Sequence, residues 1–567
     1  MKRINFKEHR GTITRDIVAG LTGATAGAPQ SMGFALLGGV SPLYGLYASV
    51  IPTIVGGIFV NTRLMTVAPP NVLMLLVAGM LATYGDPVPP YPLFTFTLLI
   101  GLIQIGFGLL RLGNLTQYVS NAVTTGFISG AGVLIILGQL DLVTGYNVKT
   151  SSNALADFVT WIQRWPETNF HAVLVGLLTI LIVFTLRRTR FKSFSVMIGI
   201  VSASVLPLGM GWDHVETVRT MSEIPSGLPF PELPDFSYIR GVFSIAFATS
   251  ILASVQSAAL AESIRASGEP QPDINKDLLA QGFSNLAGSF FQSLPASGSL
   301  SRTAINKSAG AVTRWSNIFA GVFIGLLLIG AGDLIELVAL PALAGNLIIA
   351  AIGLINIKAI EMVWSVNWTA RAAMIATFLS TLILPLDFSI YIGVALSLGL
   401  YLHTSTNRVE IVRMLPVGDG HFTEVELPET LPSSEPVILS IYGNLYFGSL
   451  RKLERMLPAA DSMGCQAPLV ILRMRHVFTI GSTGIKVLLR YDEQLRRCGG
   501  KLILAGVSDK LKAELERAHA FDQLEREAVF PPTTMVFEAL ENALAYAYSL
   551  QQQPANLANS ASQEPVA

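Results

Sequence analysis

Charged residues are scarce in this sequence, and cysteine is almost missing. Of its 567 residues, 13% are charged and 51% are hydrophobic, which is too apolar a composition for a soluble globular protein. The two cysteines, Cys465 and Cys498, both lie in the more polar last third. We therefore expect a reducing compartment and no disulfide framework.

The patterns that would indicate an enzyme are also missing. The seven histidines are scattered, with neither metal-ligand spacing nor a shared Ser/His/Asp arrangement. No glycine-rich loop has the spacing of a nucleotide-binding motif, so we do not expect ATP to drive any activity directly. We expect no catalytic residues, no metal site, no cofactor and no nucleic-acid partner.

What the sequence has instead is a series of apolar segments, several of them close to the roughly 20 residues that a helix needs to cross a bilayer. There are fourteen such segments, at about residues 17–37, 43–60, 71–81, 92–110, 118–140, 170–186, 194–210, 240–264, 275–292, 299–309, 315–332, 334–354, 368–384 and 386–403. They predict a polytopic α-helical membrane protein. We divide the chain into a cytoplasmic tail (1–15), a transmembrane domain (16–405), a cytoplasmic α/β domain (406–550) and a disordered polar tail (551–567).

The basic residues support this segmentation, because they lie in every second connection. If the N-terminus is cytoplasmic, the even-numbered connections hold most of the Lys and Arg, in which cytoplasmic loops are enriched. The residues concerned are Arg63, Arg111, the cluster 187–192, Arg265, Lys307, Arg314 and Lys358. We therefore expect both termini on the cytoplasmic side.

Two of the segments are short and begin after a break. The third follows Pro69-Pro70, and the tenth follows Pro295 and Gly298 in the stretch FQSLPASGSLSR. Because they lie seven segments apart, the second copy must run in the opposite direction, as in the inverted repeats of secondary transporters. Two half-helices would then meet near the membrane midplane, with the partial positive charges of both N-termini facing one anion site.

Six stretches of the chain carry recognisable motifs. They are DIVAGLT (16–22), PQSMGFALL (29–37), PLYGLY (42–47), NKDLLAQGFSNLAGSFF (275–291), GSLSRTAIN (298–306) and GAVT (310–313). Together they resemble the SulP (sulfate permease) anion-transporter family, to which prestin and pendrin are related. The resemblance implies fourteen spans arranged as a 7+7 inverted repeat with a core unit and a gate unit. It also implies an anion site between the third and tenth half-helices and the first segment.

The resemblance also assigns individual residues to the anion site. It implies a polar contact and an apolar wall on the first segment, then backbone N–H donors and a fixed cation at the start of the tenth helix. These residues are Gln30, Phe34, Ser299, Leu300, Ser301 and Arg302. Other interpretations stay open. Gln30 and the serines could serve helix packing, Phe34 could fill the core, and Arg302 could pair with a carboxylate or a helix C-terminus.

Two departures from the family pattern affect the expected chemistry. A second proline, Pro70, removes one N–H donor at the start of the third segment. In the eighth segment, where symporting relatives carry an acidic residue, an ungapped count reaches Gln256, whereas a shorter loop would bring Glu262 into that role. Glu262 would favour symport with H⁺ or Na⁺, and Gln256 would favour exchange or uncoupled transport. Glu262 could also be a surface carboxylate near Arg265.

After about residue 406, short β-like runs alternate with helical stretches, which predicts a small α/β domain. The stretches YGNLYFG (442–448) and IGSTG (480–484) resemble those of a STAS domain, which commonly follows the membrane part in this family. Relatives usually carry an aspartate before the phosphate-accepting residue, and here Gly481 stands at that position. Ser482 and Thr483 are therefore regulatory candidates, but N-capping of the following helix is the interpretation we favour.

These observations predict a secondary active transporter of a small anion that works by alternating access. Sulfate, bicarbonate, chloride and small dicarboxylates all suit hydroxyl and amide donors, so the residues do not identify the anion. The alternatives are an anion channel, a sensor that signals through the STAS domain, and a nucleobase permease. We expect a homodimer in the lipid bilayer of a bacterial inner membrane.

Overall fold

A computed structural model describes residues 6–84, 90–113, 119–146, 154–221, 227–265, 271–407, 409–418, 421–427, 435–443, 445, 447–459, 467–477 and 479–561. The chain divides into two compact units, Met1–Leu398 and Gly399–Ala567. Separate clusters of buried apolar side chains form the interior of each unit.

The first part of the chain is almost entirely helical, because apolar stretches alternate with connections that contain glycine and proline. Its helices are α1 (Phe6–Leu37), α2 (Pro42–Phe59), α3 (Asn71–Leu81), α4 (Tyr91–Leu109), α5 (Asn121–Gly138), α6 (Leu140–Thr144), α7 (Ala154–Gln163), α8 (Phe170–Leu186), α9 (Ser195–Met210), α10 (Val218–Met221), α11 (Ile239–Ile264), α12 (Ile274–Phe290), α13 (Leu300–Ser308), α14 (Trp315–Glu336), α15 (Leu340–Ile352), α16 (Ile357–Val366), α17 (Trp368–Ile383) and α18 (Leu386–Asn407). Two short strands, β1 (Val67–Ala68) and β2 (Ser297–Gly298), interrupt the helical order.

Each of the fourteen predicted segments coincides with one helix, so the predicted polytopic α-helical fold is confirmed. Six of the described helices are long and apolar enough to cross a membrane, and five more are shorter apolar helices. Three others, α1, α12 and α13, are richer in small and polar residues. The segmentation missed the short helices α6, α7, α10 and α16, because runs of 4 to 10 residues show no clear apolar period.

The helices of this unit pack in two groups. In one group α12 lies against α4 and α2, and α14 lies against α1 and α2. In the other, α5 lies against α17 and α15, and α8 against α9 and α15. Glycines allow the closest approaches: a Cβ on Gly101 of α4 would come within 2.7 Å of the Leu286 amide of α12, and a Cβ on Gly282 within 2.9 Å of the Gly101 carbonyl. Small residues at such contacts let membrane helices approach closely.

The second unit contains a six-stranded mixed sheet, as expected for a STAS domain. Its strands are β3 (Glu410–Gly418), β4 (His421–Val425), β5 (Val437–Tyr442), β6 (Leu469–Arg473), β7 (Lys501–Ala505) and β8 (Val529–Phe530), in the order β4-β3-β5-β6-β7-β8. Its helices are α19 (Phe447–Met456), α20 (Gly481–Arg497), α21 (Asp509–Arg517) and α22 (Glu538–Ala561). Apolar side chains of α19, α20 and α21 cover one face of the sheet, and those of α22 cover the other.

The structure corrects three expectations about the polar parts of the chain. Helix α1 begins at Phe6, so much of the predicted tail 1–15 is helical, because no proline interrupts the run before Asp16. Helix α22 continues to Ala561, where we expected disorder from 551 onward, because its alanines, leucines and glutamines favour a helix that packing has already started. Cys498 is disulfide-bonded, contrary to the expected reduced state. Residues 562–567 and Cys465 lie outside the described residues.

Candidate functional site

The two proline-containing breaks lie side by side. Strands β1 and β2 pair antiparallel, with Val67 opposite Gly298 and Ala68 opposite Ser297, and all four residues are buried. Helix α3 begins three positions after the end of β1, and α13 begins two positions after the end of β2. Because the strands run in opposite directions, the two helices leave the crossing in opposite directions with their N-termini close together. The repeat pattern predicted this juxtaposition.

The first turn of α13 presents backbone N–H groups that the protein does not use. The Ser299 amide donates to the Thr66 carbonyl (2.9 Å), and the Thr303 amide makes the first helical bond, to the Ser299 carbonyl (2.9 Å). No described protein atom accepts from the amides of Leu300, Ser301 and Arg302, and the Ser299 side chain does not cap them. A helix start with unused amides and a positive dipole end is suited to an anion.

The start of α3 presents fewer donors than the start of α13. Pro69 and Pro70 have no N–H, and the Asn71 Oδ1 atom already accepts from the Val72 amide (3.0 Å). The two half-helices are therefore unequal, and α13 provides the larger set of available donors.

Gln30 of α1 reaches the start of α13. Its Nε2 donates to Ser301 Oγ (3.0 Å), which lies 3.4 Å from Ser299 Oγ. Gln30 is 7% exposed, and its Oε1 atom is buried without a partner among the described atoms. Leu300 and Ser301 are exposed, whereas Ser299 is buried. The structure thus brings together Gln30, both serines and the amides named above.

Phe34 lies in the apolar interior beside these residues. Its side chain is 1% exposed and belongs to the buried cluster that contains Leu73 and Val77 of α3. This position suits packing of α1 against α3 as well as an apolar wall, so both interpretations of Phe34 stay open.

Arg302 points away from the helix start, toward α1 and α2. Its Nη2 donates to the Gly27 carbonyl (2.6 Å), to Ser49 Oγ (3.0 Å) and to Ser31 Oγ. Only 4% of the residue is exposed, and no carboxylate forms an ion pair with it in the described part of the chain. The alternative of a carboxylate partner is therefore wrong for the described residues. A buried cation with neutral acceptors keeps an uncompensated positive charge near the start of α13.

The two coupling candidates differ in their surroundings on α11. Glu262 is exposed and forms an ion pair with Arg265 (2.8 Å, side chain 57% exposed). Gln256 is half-buried, and no hydrogen bond joins its side chain to the described residues. Its neighbour Ser257 accepts from the Gly298 amide (3.2 Å), so this part of α11 lies against β2.

The sequence reasoning missed a polar cluster that joins β1 to α13 and α14. The Thr66 amide donates to Thr303 Oγ1 (3.0 Å), and Thr66 Oγ1 donates to Asn317 Oδ1 (2.7 Å). Asn317 Nδ2 donates to the Met65 carbonyl (2.8 Å), and Asn306 Nδ2 donates to Asn317 Oδ1 (3.1 Å). Each asparagine is buried, so these bonds fix the position of the crossing from the α13 side.

A second cluster fixes the crossing from the side of α11 and α12. Ser257 Oγ donates to Gln281 Oε1 (2.9 Å). Asn285 Oδ1 accepts from the Ala296 amide (2.7 Å), and its Nδ2 donates to the Ala296 carbonyl (2.8 Å). Gln281 and Asn285 are four residues apart and therefore share one face of α12. Two amide side chains at that spacing in a predicted membrane-spanning helix were the signal that could have revealed them.

In the α/β domain, the start of α20 corrects the favoured capping interpretation. The residue before the helix is Ile480, and neither Ser482 nor Thr483 caps it. Instead Glu514 Oε2 of α21 accepts from the amides of Ile480 (3.1 Å) and Gly481 (3.4 Å). These amides are thus satisfied by a carboxylate from a neighbouring helix. The sequence alone could not predict this contact, because it depends on how α21 packs against α20. Ser482 and Thr483 are exposed and stay candidates for modification.

The α/β domain also contains a group of basic side chains at the end of β6. Burial lowers the pKa of Arg473. Burial, followed by the positive charges of Arg473 and Arg475, lowers the pKa of His476. Both lowered pKa values disfavour the protonated, positively charged form of these side chains.

The sequence was compared with protein families and with individual proteins. Residues 13–377 match the sulfate permease family, and residues 428–535 match the STAS domain. The probable sulfate transporter 4.2 of Arabidopsis thaliana is 27% identical over 538 residues, which is 91% of this chain and 79% of that protein. The putative sulfate transporter YvdB of Bacillus subtilis is 25% identical over 526 residues, which is 91% of this chain and 96% of that protein.

Solved structures of similar fold were also found. SLC26A9 matches with a TM-score of 0.84 and 20% identity, covering 96% of this chain and 92% of that one. The transmembrane domain of the cyanobacterial bicarbonate transporter BicA matches with a TM-score of 0.58 and 20% identity, covering 70% of this chain and 99% of that one. At these identities the matches show a shared fold.

Proposed function

The chain belongs to the sulfate permease family, and on that basis we propose that it is a secondary active carrier of a small inorganic or organic anion. The relatives are transporters and not enzymes, so the chain is a member of an anion-transporter family without enzymatic function. Sulfate is named for the relatives from Arabidopsis and Bacillus, and bicarbonate for BicA. Sulfate and bicarbonate are therefore the first substrates to test, followed by chloride and dicarboxylates.

One observation carries this proposal: within the described part of the chain, three amides at the start of α13 have no acceptor, and this helix start lies beside the start of α3. Backbone N–H groups at a helix start bind oxyanions and halides without adding a mobile charge. The site is thus proposed to hold its anion mainly through the amides of Leu300, Ser301 and Arg302.

The side chains around these amides have complementary proposed roles. Ser301 Oγ accepts from Gln30 Nε2, so its own hydroxyl proton is free to point at the anion. Ser299 Oγ lies 3.4 Å from the same oxygen and helps to fix its position. Phe34 closes the apolar side of the site. The guanidinium of Arg302 attracts the anion through space without contacting it, which allows release during transport.

Movement of the anion is proposed to follow alternating access. The packing group that contains α1, α2, α4, α12 and α14 surrounds the crossing, and the group that contains α5, α8, α9, α15 and α17 packs against it through α1 and α3. Extensive hydrogen bonding inside the first group supports its movement as one piece past the second. This is the arrangement of a core unit and a gate unit.

Exchange or uncoupled transport is the proposed mode. The ion pair between Glu262 and Arg265 supports a surface role for this carboxylate. An amide side chain such as Gln256 cannot change its charge, so it provides no site for a proton. Symport with H⁺ or Na⁺ through Glu262 is the competing mode.

Uptake by the full chain in liposomes tests the proposed function. Radiolabelled sulfate, bicarbonate, chloride, fumarate and uracil are offered in turn, with and without an internal counter-anion. Saturable anion uptake that depends on the counter-anion supports an exchanging carrier. Large currents that rise linearly with concentration indicate a channel, binding without flux indicates a sensor, and uracil uptake indicates a nucleobase permease.

Assembly is proposed from the family, and the orientation in the membrane from the distribution of basic residues. We expect a homodimer in a bacterial inner membrane, with both termini in the cytoplasm, because the basic connections lie on the side of the N-terminus. Mass determination in detergent and labelling of single cysteines placed in the connections measure these two properties.

A further inference from the structure

Two buried aspartates make the same set of hydrogen bonds to two loops next to the crossing. Asp277 Oδ1, on α12, accepts from the amides of Asn61 (2.8 Å) and Thr62 (2.9 Å), and its Oδ2 accepts from the Thr62 hydroxyl. Asp16 Oδ1, on α1, accepts from the amides of Val312 (2.7 Å) and Thr313 (3.0 Å), and its Oδ2 accepts from the Thr313 hydroxyl. Each aspartate is 1% exposed.

Each aspartate holds a loop that belongs to the other half of the chain. Asp16 lies on α1, in the first half of the transmembrane domain, yet it binds the loop 309–314 that follows α13 in the second half. Asp277 lies on α12, yet it binds the loop 60–66 that leads into β1 and α3. The two interactions are therefore reciprocal between the two halves.

Arginines join one loop to the other and to the end of α2. Arg63 Nε donates to the Val312 carbonyl (2.6 Å), and Arg314 Nη1 donates to the Ile58 carbonyl (3.0 Å). Neither aspartate forms an ion pair within the described residues. Their carboxylates are used entirely to bind backbone amides and one hydroxyl each.

The loops pass this constraint to the anion site. Thr62 is four residues before Thr66, whose carbonyl accepts from the Ser299 amide (2.9 Å) and whose amide donates to Thr303 Oγ1 (3.0 Å). Ser299 and Thr303 flank the three unused amides of α13. A shift of the loop 60–66 therefore changes the direction of the amides that face the anion.

We propose that Asp16 and Asp277 are positioning residues of the anion site, acting as a reciprocal clamp that keeps the two half-helix starts in register. The proposal rests on the proposed function, because it names residues that serve the same site. Neither aspartate touches the amides that bind the anion, so each acts through the loop that it holds.

The clamp predicts a change in apparent anion affinity with little change in maximal rate. In Asp277→Ala the amides of Asn61 and Thr62 lose their acceptor, and the loop loosens. The KM for radiolabelled sulfate uptake by the full chain in liposomes should rise about tenfold, because bonds to a charged acceptor are the stronger ones. Asp16→Ala should behave alike, since its geometry matches.

Milder variants separate positioning from folding. Thr62→Val removes one donor to Asp277 and should raise KM roughly threefold, whereas Thr62→Ser keeps the hydroxyl and should match the wild type. Asp273→Asn is the matched control, because Asp273 lies one turn before Asp277, is partly exposed and caps α12, a role that Asn also fills.

Amide hydrogen exchange of the full chain in detergent, without any anion, gives a second readout. In Asp277→Ala, exchange should become faster in residues 60–68 and also in 297–303. A rise confined to 61–62, or a lower maximal rate with unchanged KM, overturns the positioning role. If the wild type transports no sulfate, the proposed substrate is wrong. In that case the pattern of amide hydrogen exchange alone tests the positioning role of the two aspartates.

Discussion

Arg302 offers a direct test of how much a distant cation contributes to anion binding. It is the third residue of α13, and its side chain turns toward α1 and α2. We take the separation between its charge and an anion at the helix start to be roughly 9 Å, about the length of an extended arginine side chain plus one contact. At that distance, with an effective dielectric constant of about 20, the attraction to a monovalent anion is about 2 kcal/mol, or roughly 20-fold in affinity. Arg302→Met should weaken anion binding by about this factor.

The fold should tolerate this substitution. Ser31 Oγ and Ser49 Oγ lie 2.5 Å apart, so these hydroxyls remain partners for each other once the guanidinium is gone. Removal of a buried charge that has no ionic partner also eliminates its desolvation cost. We therefore expect the melting temperature without anion to change little.

Two further variants distinguish charge from position. Arg302→Lys keeps a cation and should bind within about threefold of the wild type, because most of the attraction is Coulombic. Gly27→Ala places a Cβ where the guanidinium now lies, so it displaces the charge without removing it and should give an intermediate affinity. Isothermal titration with bicarbonate, a monovalent anion, at low and high ionic strength, measures each variant. Equal affinity of Arg302→Met and wild type, or a loss in Arg302→Lys as large as in Arg302→Met, refutes the reasoning.

Three other predictions concern the site, the coupling mode and the STAS domain. Gln30→Leu removes the donor to Ser301 Oγ and should raise the uptake KM roughly fivefold. The kcat should change little, because the lost contact serves binding; a fall in kcat with unchanged KM would contradict this role. Glu262→Gln should leave the pH dependence of uptake unchanged if transport is exchange, and a pH profile that flattens in this variant but not in Gln256→Ala would instead indicate symport. Glu514→Gln weakens the charge at the start of α20 and should lower the unfolding free energy of the STAS domain by about 1 kcal/mol, measured by denaturant titration of the full chain; an unchanged midpoint would contradict this capping role.

The helical segments and the half-helix crossing could be predicted from the sequence because both depend on local patterns. Apolar runs define the helices, and Pro69-Pro70 and Pro295 mark the two breaks. Their juxtaposition followed from the odd spacing of the segments, and the paired strands bear it out.

The hydrogen bonds around the site could not be predicted, because they join residues far apart in the chain. Asp16 binds Thr313, which is 297 positions away, and Arg302 binds Gly27 across 275 positions. The direction of Arg302 was missed for the same reason, since its acceptors are a backbone carbonyl and two hydroxyls with no distinctive pattern. In the STAS domain the capping of α20 by Glu514 likewise depends on how α21 packs.

The most direct test of the central claim removes one backbone donor without removing a side chain that binds. Leu300 is the first residue of α13, a position that tolerates proline. Ser299 before it has φ −91° and ψ 114°, which suit a residue that precedes proline. In Leu300→Pro, sulfate binding measured by titration calorimetry should weaken about tenfold, with an unchanged melting temperature in the absence of anion. Wild-type affinity in Leu300→Pro would show that the α13 amides do not hold the anion.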